Sequence, residues 1–84
     1  MYIQVEKEYD IKSLNVIMLI RAYSYDSSIV KYKFEFADTI FLDNTEEIPD
    51  RLKSIFDKRP QVYNISGTII TKEGKAAKFN AYND

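Results

Sequence analysis

The chain contains neither cysteine nor histidine among its 84 residues, and this absence constrains its fold more than any other feature. A domain of this length buries only about 60–65% of the surface of its unfolded chain, so small domains often add disulfide bonds or a structural metal. Cysteine and histidine are the usual ligands of structural zinc. Without them, the fold must depend on a well-packed apolar core. We expect one domain over residues 1–84, with no cofactor.

The same absence narrows the range of functions. Histidine is the usual general base near neutral pH, and cysteine is the strongest side-chain nucleophile. The only glycines are Gly67 and Gly74, so the chain has no glycine-rich phosphate-binding loop. We therefore expect a protein that is not an enzyme and that acts through its surface.

The net charge is close to zero, since twelve basic and thirteen acidic residues give a formal charge of −1. A dedicated duplex-DNA-binding protein normally carries a strong basic excess, which this chain lacks. The first residues show no signal peptide, and the longest apolar run, residues 16–20, is too short to span a membrane. We expect a cytoplasmic protein without membrane contact.

The amino-acid usage suggests a source for the chain. Isoleucine, lysine, tyrosine and asparagine supply 32 residues, whereas glycine, proline, alanine and arginine supply 12. The first group has A/T-rich codons and the second has G/C-rich codons. We hypothesise a low-G+C bacterium or one of its phages as the source, which the base composition of the genome would test.

Three strands are predicted in the N-terminal half. Residues 2–9 alternate, with Ile3 and Val5 on one face. Residues 15–25 are rich in β-branched and aromatic side chains and predict a central strand, with a helix starting at Asp10 as the alternative. A turn at residues 26–28 precedes the clearest pattern, an amphipathic strand that residues 40–42 extend or follow. Its apolar positions are Val30, Tyr32, Phe34 and Phe36.

One helix is predicted over about residues 46–58. Asn44 and Thr45 are candidate N-caps, and Glu47 completes a capping box with Asn44. Alternatively, Pro49 takes the first helical position. Pro60 ends the helix. The apolar stripe consists of Ile48, Leu52, Ile55 and Phe56.

The last segment, residues 62–82, predicts a β-hairpin. Residues 71–74 suit a three-residue loop with a bulge, in which Gly74 takes the left-handed conformation. This register places Gly67 opposite Phe79, which indicates space left for the ring. The fold class is therefore α+β, a mostly antiparallel sheet with the helix packed on one face. Short connections favour pairing between strands that are neighbours in the sequence.

The acidic residues near the helix start are candidates for a metal site. Asp43, Glu46, Glu47 and Asp50 match no calcium-binding loop, and carboxylates at a helix N-terminus stabilise its dipole. We interpret them as structural and predict no metal site. Asp38 with Asp43 is a weaker candidate for an acid–base pair, because nothing in the sequence indicates buried carboxylates.

The candidate binding residues lie on two neighbouring strands. Arg21, Tyr23 and Tyr25 share one face of the second strand, and Lys31 and Lys33 share one face of the third. If the connecting loop has an odd number of residues, the two sets lie together and would suit single-stranded nucleic acid, through stacked bases and bound phosphates. An even loop instead places the tyrosines with the apolar residues, in the core. The sequence leaves this parity open.

Seven tyrosines are many for a chain of this size. Tyrosine is enriched at protein interfaces, although it is also common on plain sheets. The leading hypothesis is a small non-catalytic binding or modulatory protein that contacts a protein partner through the face or edge of its sheet, with a phage or mobile element as its hypothesised source. Pairing of sheet edges across a two-fold axis would make a homodimer. The alternative hypothesis is a single-stranded nucleic-acid-binding protein.

Overall fold

The computed structural model describes residues 1–5 and 13–83, and its elements follow in the predicted order. The predicted α+β fold, with an antiparallel sheet and one helix, is confirmed. The helix alternative is wrong for the described residues from Leu14 onward, which form a strand. Residues 6–9 of the predicted first strand and residues 10–12 of the alternative helix lie outside the described residues. The strands are β1 (Tyr2–Val5), β2 (Leu14–Asp26), β3 (Lys31–Asn44), β4 (Val62–Ile70) and β5 (Ala76–Tyr82), and the helix is α1 (Ile48–Lys58).

The five strands form one antiparallel sheet in the order β1-β5-β4-β2-β3. Sequence neighbours pair in the β2–β3 and β4–β5 hairpins, as expected, but β1 pairs with β5 instead of β2. The apolar strand β2 takes an inner position, with β3 on one side and β4 on the other. The short strand β1 forms one edge of the sheet, and β3 forms the other.

The β2–β3 hairpin runs the whole length of the molecule. Strands of 13 and 14 residues span about 43–46 Å at about 3.3 Å per residue, and the longest extent of the structure is 43 Å. Helix α1 has 11 residues and is therefore only about 16 Å long. It covers part of one face, and no described residue forms a second layer on the opposite face, which we call the open face.

The core lies between α1 and the face of the sheet that it covers. The predicted apolar stripe is confirmed, because Ile48, Leu52 and Phe56 are buried and Ile55 packs against the core. The capping box and the proline that predict the start of the helix are both present. Asn44 caps a turn of 3-10 helix (Thr45–Glu47) through the capping box, and α1 follows with Pro49 in its first turn. Every second residue of β2 faces this core, namely Val16, Met18, Ile20 and Ala22.

Two β-bulges change which side chains reach the open face. In β3, Phe36 pairs with Ala22 but Phe34 pairs with Tyr23, so Glu35 is an extra residue. Phe36 therefore packs against the core, where the Arg59 guanidinium lies 4.4 Å from its ring centre, while Phe34 points to the open face. The prediction that the four apolar residues of this strand share one face is therefore wrong.

The second bulge lies in β4. Asn64 pairs with Tyr23, whereas Val62 pairs with Ser24, so Tyr63 is the extra residue. Val62 is buried on the core side, and Tyr63 and Asn64 are both available to the open face. The two bulges lie on either side of Tyr23, one in each strand that pairs with β2.

The C-terminal hairpin has the predicted register. Thr71 and Lys75 close a three-residue loop, in which Gly74 has a φ of 84° and donates its N–H to the Thr71 carbonyl. Gly67 pairs with Phe79, and the space that a Cβ would need at Gly67 is occupied by the Phe79 ring. The glycine thus leaves room for a ring that is 1% exposed.

Candidate functional site

The candidate site is a cluster of aromatic rings on the open face. The side chains of Tyr25 and Tyr63 lie between those of Tyr32 on β3 and Tyr82 on β5, and Tyr2 extends the row to β1. Rings from all five strands are therefore in contact across the sheet. We call this surface the tyrosine face, and its members are Tyr2, Tyr23, Tyr25, Tyr32, Phe34, Tyr63 and Tyr82.

The rings contact one another at the separations typical of aromatic pairs. Ring centres lie 4.9 Å apart for Tyr25 and Tyr32, 5.7 Å for Tyr25 and Tyr63, and 5.8 Å for Tyr63 and Tyr82. Each such pair contributes about 0.5–1.5 kcal/mol beyond the burial of its area. The mutual contacts hold the rings in fixed positions, so that a partner would meet a preformed surface and would pay little to order it.

Arg21 lies beside this surface and is held there by two contacts. Its Nε–H donates to the Tyr23 hydroxyl at 3.0 Å, and its guanidinium carbon lies 4.9 Å from the ring centre of Phe34. Tyr23 and Phe34 themselves pack edge to face, at 5.9 Å. Arg21, Tyr23 and Tyr25 therefore share one face, as their spacing predicts.

The loop between β2 and β3 has an even number of residues, 27–30, so the two predicted sets do not coincide. Lys31 pairs with Asp26 and Lys33 pairs with Ser24, on the side of the sheet that carries α1. The expectation that the tyrosines would then become core is wrong, because the core forms on the other face. Tyr25 and Tyr32 are 38% and 54% exposed.

The tip of the β2–β3 hairpin extends the exposed apolar surface. Asp26 accepts hydrogen bonds from the N–H and the hydroxyl of Ser28, which lower the pKa of its carboxyl. Beyond them, Ile29 and Val30 are 64% and 76% exposed. Val30 also has a φ of 47°, a conformation that is strained for a β-branched residue. Such strain persists only where the surrounding structure imposes it.

A shallow depression of about 280 Å³ lies within the tyrosine face, between the rings of Tyr23, Tyr32 and Tyr82. Its floor is the buried side chain of Asn64, whose Nδ2 donates to the Ala81 carbonyl at 3.2 Å. The depression is mostly apolar and has tyrosine hydroxyl groups nearby. It can accept an apolar side chain of a partner while the hydroxyl groups form hydrogen bonds.

A second, more polar depression of about 680 Å³ lies on the open face beside Arg21. Lys78, Ser66 and Thr68 line it on the β4 and β5 side, and Ala37 and Thr39 line it on β3. The two cations make this part of the open face polar, so the tyrosine face is bounded by charge on one side. An apolar centre with a polar border is the usual arrangement of protein interfaces.

The close packing of the rings in the tyrosine face changes the pKa of Tyr32. Partial removal from water raises the pKa of Tyr32, and the neighbouring phenols of Tyr63, Tyr25 and Tyr82 raise it further. The uncharged phenol of Tyr32 therefore persists to a higher pH than that of a free tyrosine.

The acidic residues at the helix start have structural contacts. The Oε2 atom of Glu47 accepts the N–H groups of Asp43 and Asn44 at 2.9 and 3.1 Å, and Asn44 Oδ1 accepts the N–H of Glu46. Asp38 and Asp43 lie five residues apart on one strand and therefore point to opposite faces. Within residues 1–5 and 13–83, no three acidic side chains are grouped to hold a metal ion.

Most residues of the tyrosine face were not identified from the sequence. The spacing argument indicates Tyr23 and Tyr25, whereas alternation places Tyr32 and Phe34 on the apolar face of their strand. It gives no binding role to Tyr2, Tyr63 or Tyr82. The abundance of tyrosine was the only signal that pointed to them. Their convergence depends on the strand order and on the two bulges.

No helix of the described residues combines the length and the apolar character needed to cross a bilayer. Comparison of this chain with protein-family models, with curated proteins and with solved structures finds no match. The arguments about function therefore depend on the geometry of the open face.

Proposed function

We propose that this chain is a small non-catalytic binding protein, and that its tyrosine face docks on a protein partner. The observation that carries the proposal is the row of contacting rings across all five strands, on a face that no described element covers. A sheet can be stable with polar residues on its uncovered face, so packing alone does not require rings there. Clusters of exposed tyrosine are typical of interface centres.

The hairpin tip supports the same proposal. Ile29 and Val30 are more exposed than any residue of the tyrosine face, and they lie in the hairpin loop, one residue pair beyond Tyr25 and Tyr32. The exposure of these two side chains does not stabilise the isolated chain, and the left-handed backbone conformation of Val30 lowers its stability. Contact with a partner accounts for the exposure, because it would remove these side chains from water.

The charge distribution favours a protein over single-stranded nucleic acid as the partner. Stacking proteins place cations beside their aromatic rings to bind the phosphates. Here Lys31 and Lys33 lie on the other side of the sheet, and Arg21 is already engaged by Tyr23 and Phe34. Lys78 adds one further positive charge, in the polar depression.

The test compares two double variants as baits in cells of the source organism. Tyr32→Ala with Phe34→Ala removes two half-exposed rings, and Lys31→Ala with Lys33→Ala changes the same strand on its other side. We expect the Tyr32→Ala, Phe34→Ala variant to bind the partner at least tenfold more weakly than the wild type, a loss of about 1.4 kcal/mol. The Lys31→Ala, Lys33→Ala variant should bind it as tightly as the wild type. Thermal melts of the free proteins show whether each variant is folded.

Two results would contradict the proposal. One is a partner that binds a folded Tyr32→Ala, Phe34→Ala variant as tightly as the wild type. The other is binding of labelled single-stranded oligonucleotides that weakens as salt rises and is lost when Tyr25 is replaced by alanine, which would favour the nucleic-acid function.

A further inference from the structure

The outer edge of β3 is a surface that the tyrosine face does not use. β3 is last in the strand order, so within the described residues no strand pairs with its outer side. An exposed edge of this kind is a template for another strand. Residues 39–42 form an uncharged run, Thr-Ile-Phe-Leu, and Phe41 is 73% exposed, which increases that tendency.

Two carboxylates occupy N–H groups of this edge. Asp38 Oδ1 accepts the N–H of Thr39 at 2.8 Å, and Glu47 Oε2 accepts the N–H of Asp43 at 2.9 Å. In a strand, the N–H and C=O groups of alternate residues point to the same side, so Thr39 and Asp43 both present theirs at the outer edge. An added strand would have to displace both carboxylates from these bonds.

We infer that Asp38 and Glu47 keep the outer edge of β3 closed, and that the uncapped edge would pair with the same edge of a second copy. Each carboxylate satisfies a donor that an incoming carbonyl would otherwise accept, and each adds a negative charge that resists a dry interface. Natural sheets protect their edges with charged residues in this way. The role of the two residues is independent of the tyrosine face.

The distribution of charge along β3 favours a second copy of this chain as the pairing strand, in the antiparallel direction. Lys31 and Lys33 lie at the start of the strand, and Asp43 lies at its end with Glu46 directly after it. Antiparallel pairing of two copies sets the basic end of each beside the acidic end of the other, whereas parallel pairing would align like charges.

The same pairing suggests a register. With Thr39 on the two-fold axis, residues 36–42 of the two copies pair, and this stretch ends before Glu35 of one copy would face Asp43 of the other. Ala37 of one copy then faces Phe41 of the other on the open face. The small alanine leaves room for the exposed ring, and the two Thr39 side chains form a favourable cross-strand pair.

The experiment measures molar mass by size-exclusion chromatography with light scattering. We expect a monomer of 9.9 kDa for the wild type and a dimer for Asp38→Ala with Glu47→Ala. Asp57→Ala with Glu73→Ala is the matched control, because it removes two exposed carboxylates that lie outside β3 and cap no strand N–H among the described residues. The control should remain a monomer. If Glu47→Ala impairs folding through the lost capping box, Asp38→Ala alone should still dimerise measurably more than Asp38→Asn, which keeps an acceptor oxygen.

A single cysteine at Thr39 tests the register, because the chain has no other cysteine. Thr39→Cys should form a disulfide-linked dimer in the Asp38→Ala, Glu47→Ala background and little in the wild-type background. The inference is overturned if the folded uncapped variant stays a monomer, if the matched control dimerises equally, or if wild-type protein crosslinks through this position as strongly.

Discussion

Replacing Gly67 by alanine should destabilise the protein through a single steric conflict. A Cβ at this position would lie 2.7 Å from two ring carbons of Phe79, about 0.7 Å less than the 3.4 Å at which ordinary contacts begin, and it would also meet the Leu19 carbonyl oxygen. The ring is 1% exposed and the carbonyl belongs to the neighbouring strand, so neither can move aside at low cost.

Two opposing effects decide the magnitude. Alanine in a strand interior is favoured over glycine by about 0.5–1 kcal/mol, because the unfolded chain has less conformational freedom. Overpacking in a tight core costs about 1–3 kcal/mol or more. Because two ring carbons and one backbone oxygen all conflict with the new methyl group, the steric cost should prevail. We expect a net loss of about 2 kcal/mol, which lowers Tm by about 8–16 °C in a chain of this size.

The assay is urea unfolding followed by circular dichroism, with Gly74 as the internal comparison. Gly74 has a φ of 84° and no atom within 4 Å of an added Cβ, so alanine there should cost only about 1–2 kcal/mol of backbone strain. Asparagine, which tolerates this conformation, should recover part of that cost at Gly74 but worsen the loss at Gly67. A Gly67→Ala variant as stable as the wild type would refute the steric argument.

Four further outcomes are expected. In urea unfolding, Leu52→Ala should lose about 2–5 kcal/mol because Leu52 is 0% exposed, whereas the adjacent exposed Arg51→Ala should change stability by less than about 0.5 kcal/mol. Asn44→Ala should cost about 1 kcal/mol through the lost cap, and an unchanged midpoint would contradict its role. Val30→Gly should stabilise the free protein by about 0.5–1 kcal/mol, because the relieved backbone strain exceeds the entropy cost of glycine. The same variant should bind the partner more weakly, because it removes an exposed apolar side chain. A loss of stability in this variant would contradict the strain at Val30. Because the pKa of Tyr32 is raised on folding, stability should be constant below about pH 10 and fall as the pH rises above it, and this fall should be smaller in Tyr32→Phe.

The local elements could be predicted because their signals are contained within short segments. The α1 stripe follows from helical spacing, and its start follows from the Asn44–Glu47 capping box and a proline in the first turn. The register of the C-terminal hairpin follows from one glycine, since a left-handed residue at Gly74 fixes the loop length and with it the residues that face the core.

The candidate site could be predicted only in part. Alternation places Arg21, Tyr23 and Tyr25 together, whatever pairs with them. It assigns Phe34 and Phe36 to one face as well, and the extra residue at Glu35 separates them. A bulge leaves no periodic mark in the sequence, because it depends on the match between two strands and not on either strand alone.

The sequence by itself determined the components of this fold: a core without disulfide bonds, one amphipathic helix, and strands with a fixed alternation of side chains. Only the tertiary structure decided which face each tyrosine reaches, because the even loop, the two bulges and the position of β5 between β1 and β4 are relations between distant segments. Loop closure and packing across the sheet choose among these relations, and local propensity does not distinguish them. The tyrosine face is therefore a property of the fold, assembled from residues that are up to 80 positions apart, as Tyr2 and Tyr82 are.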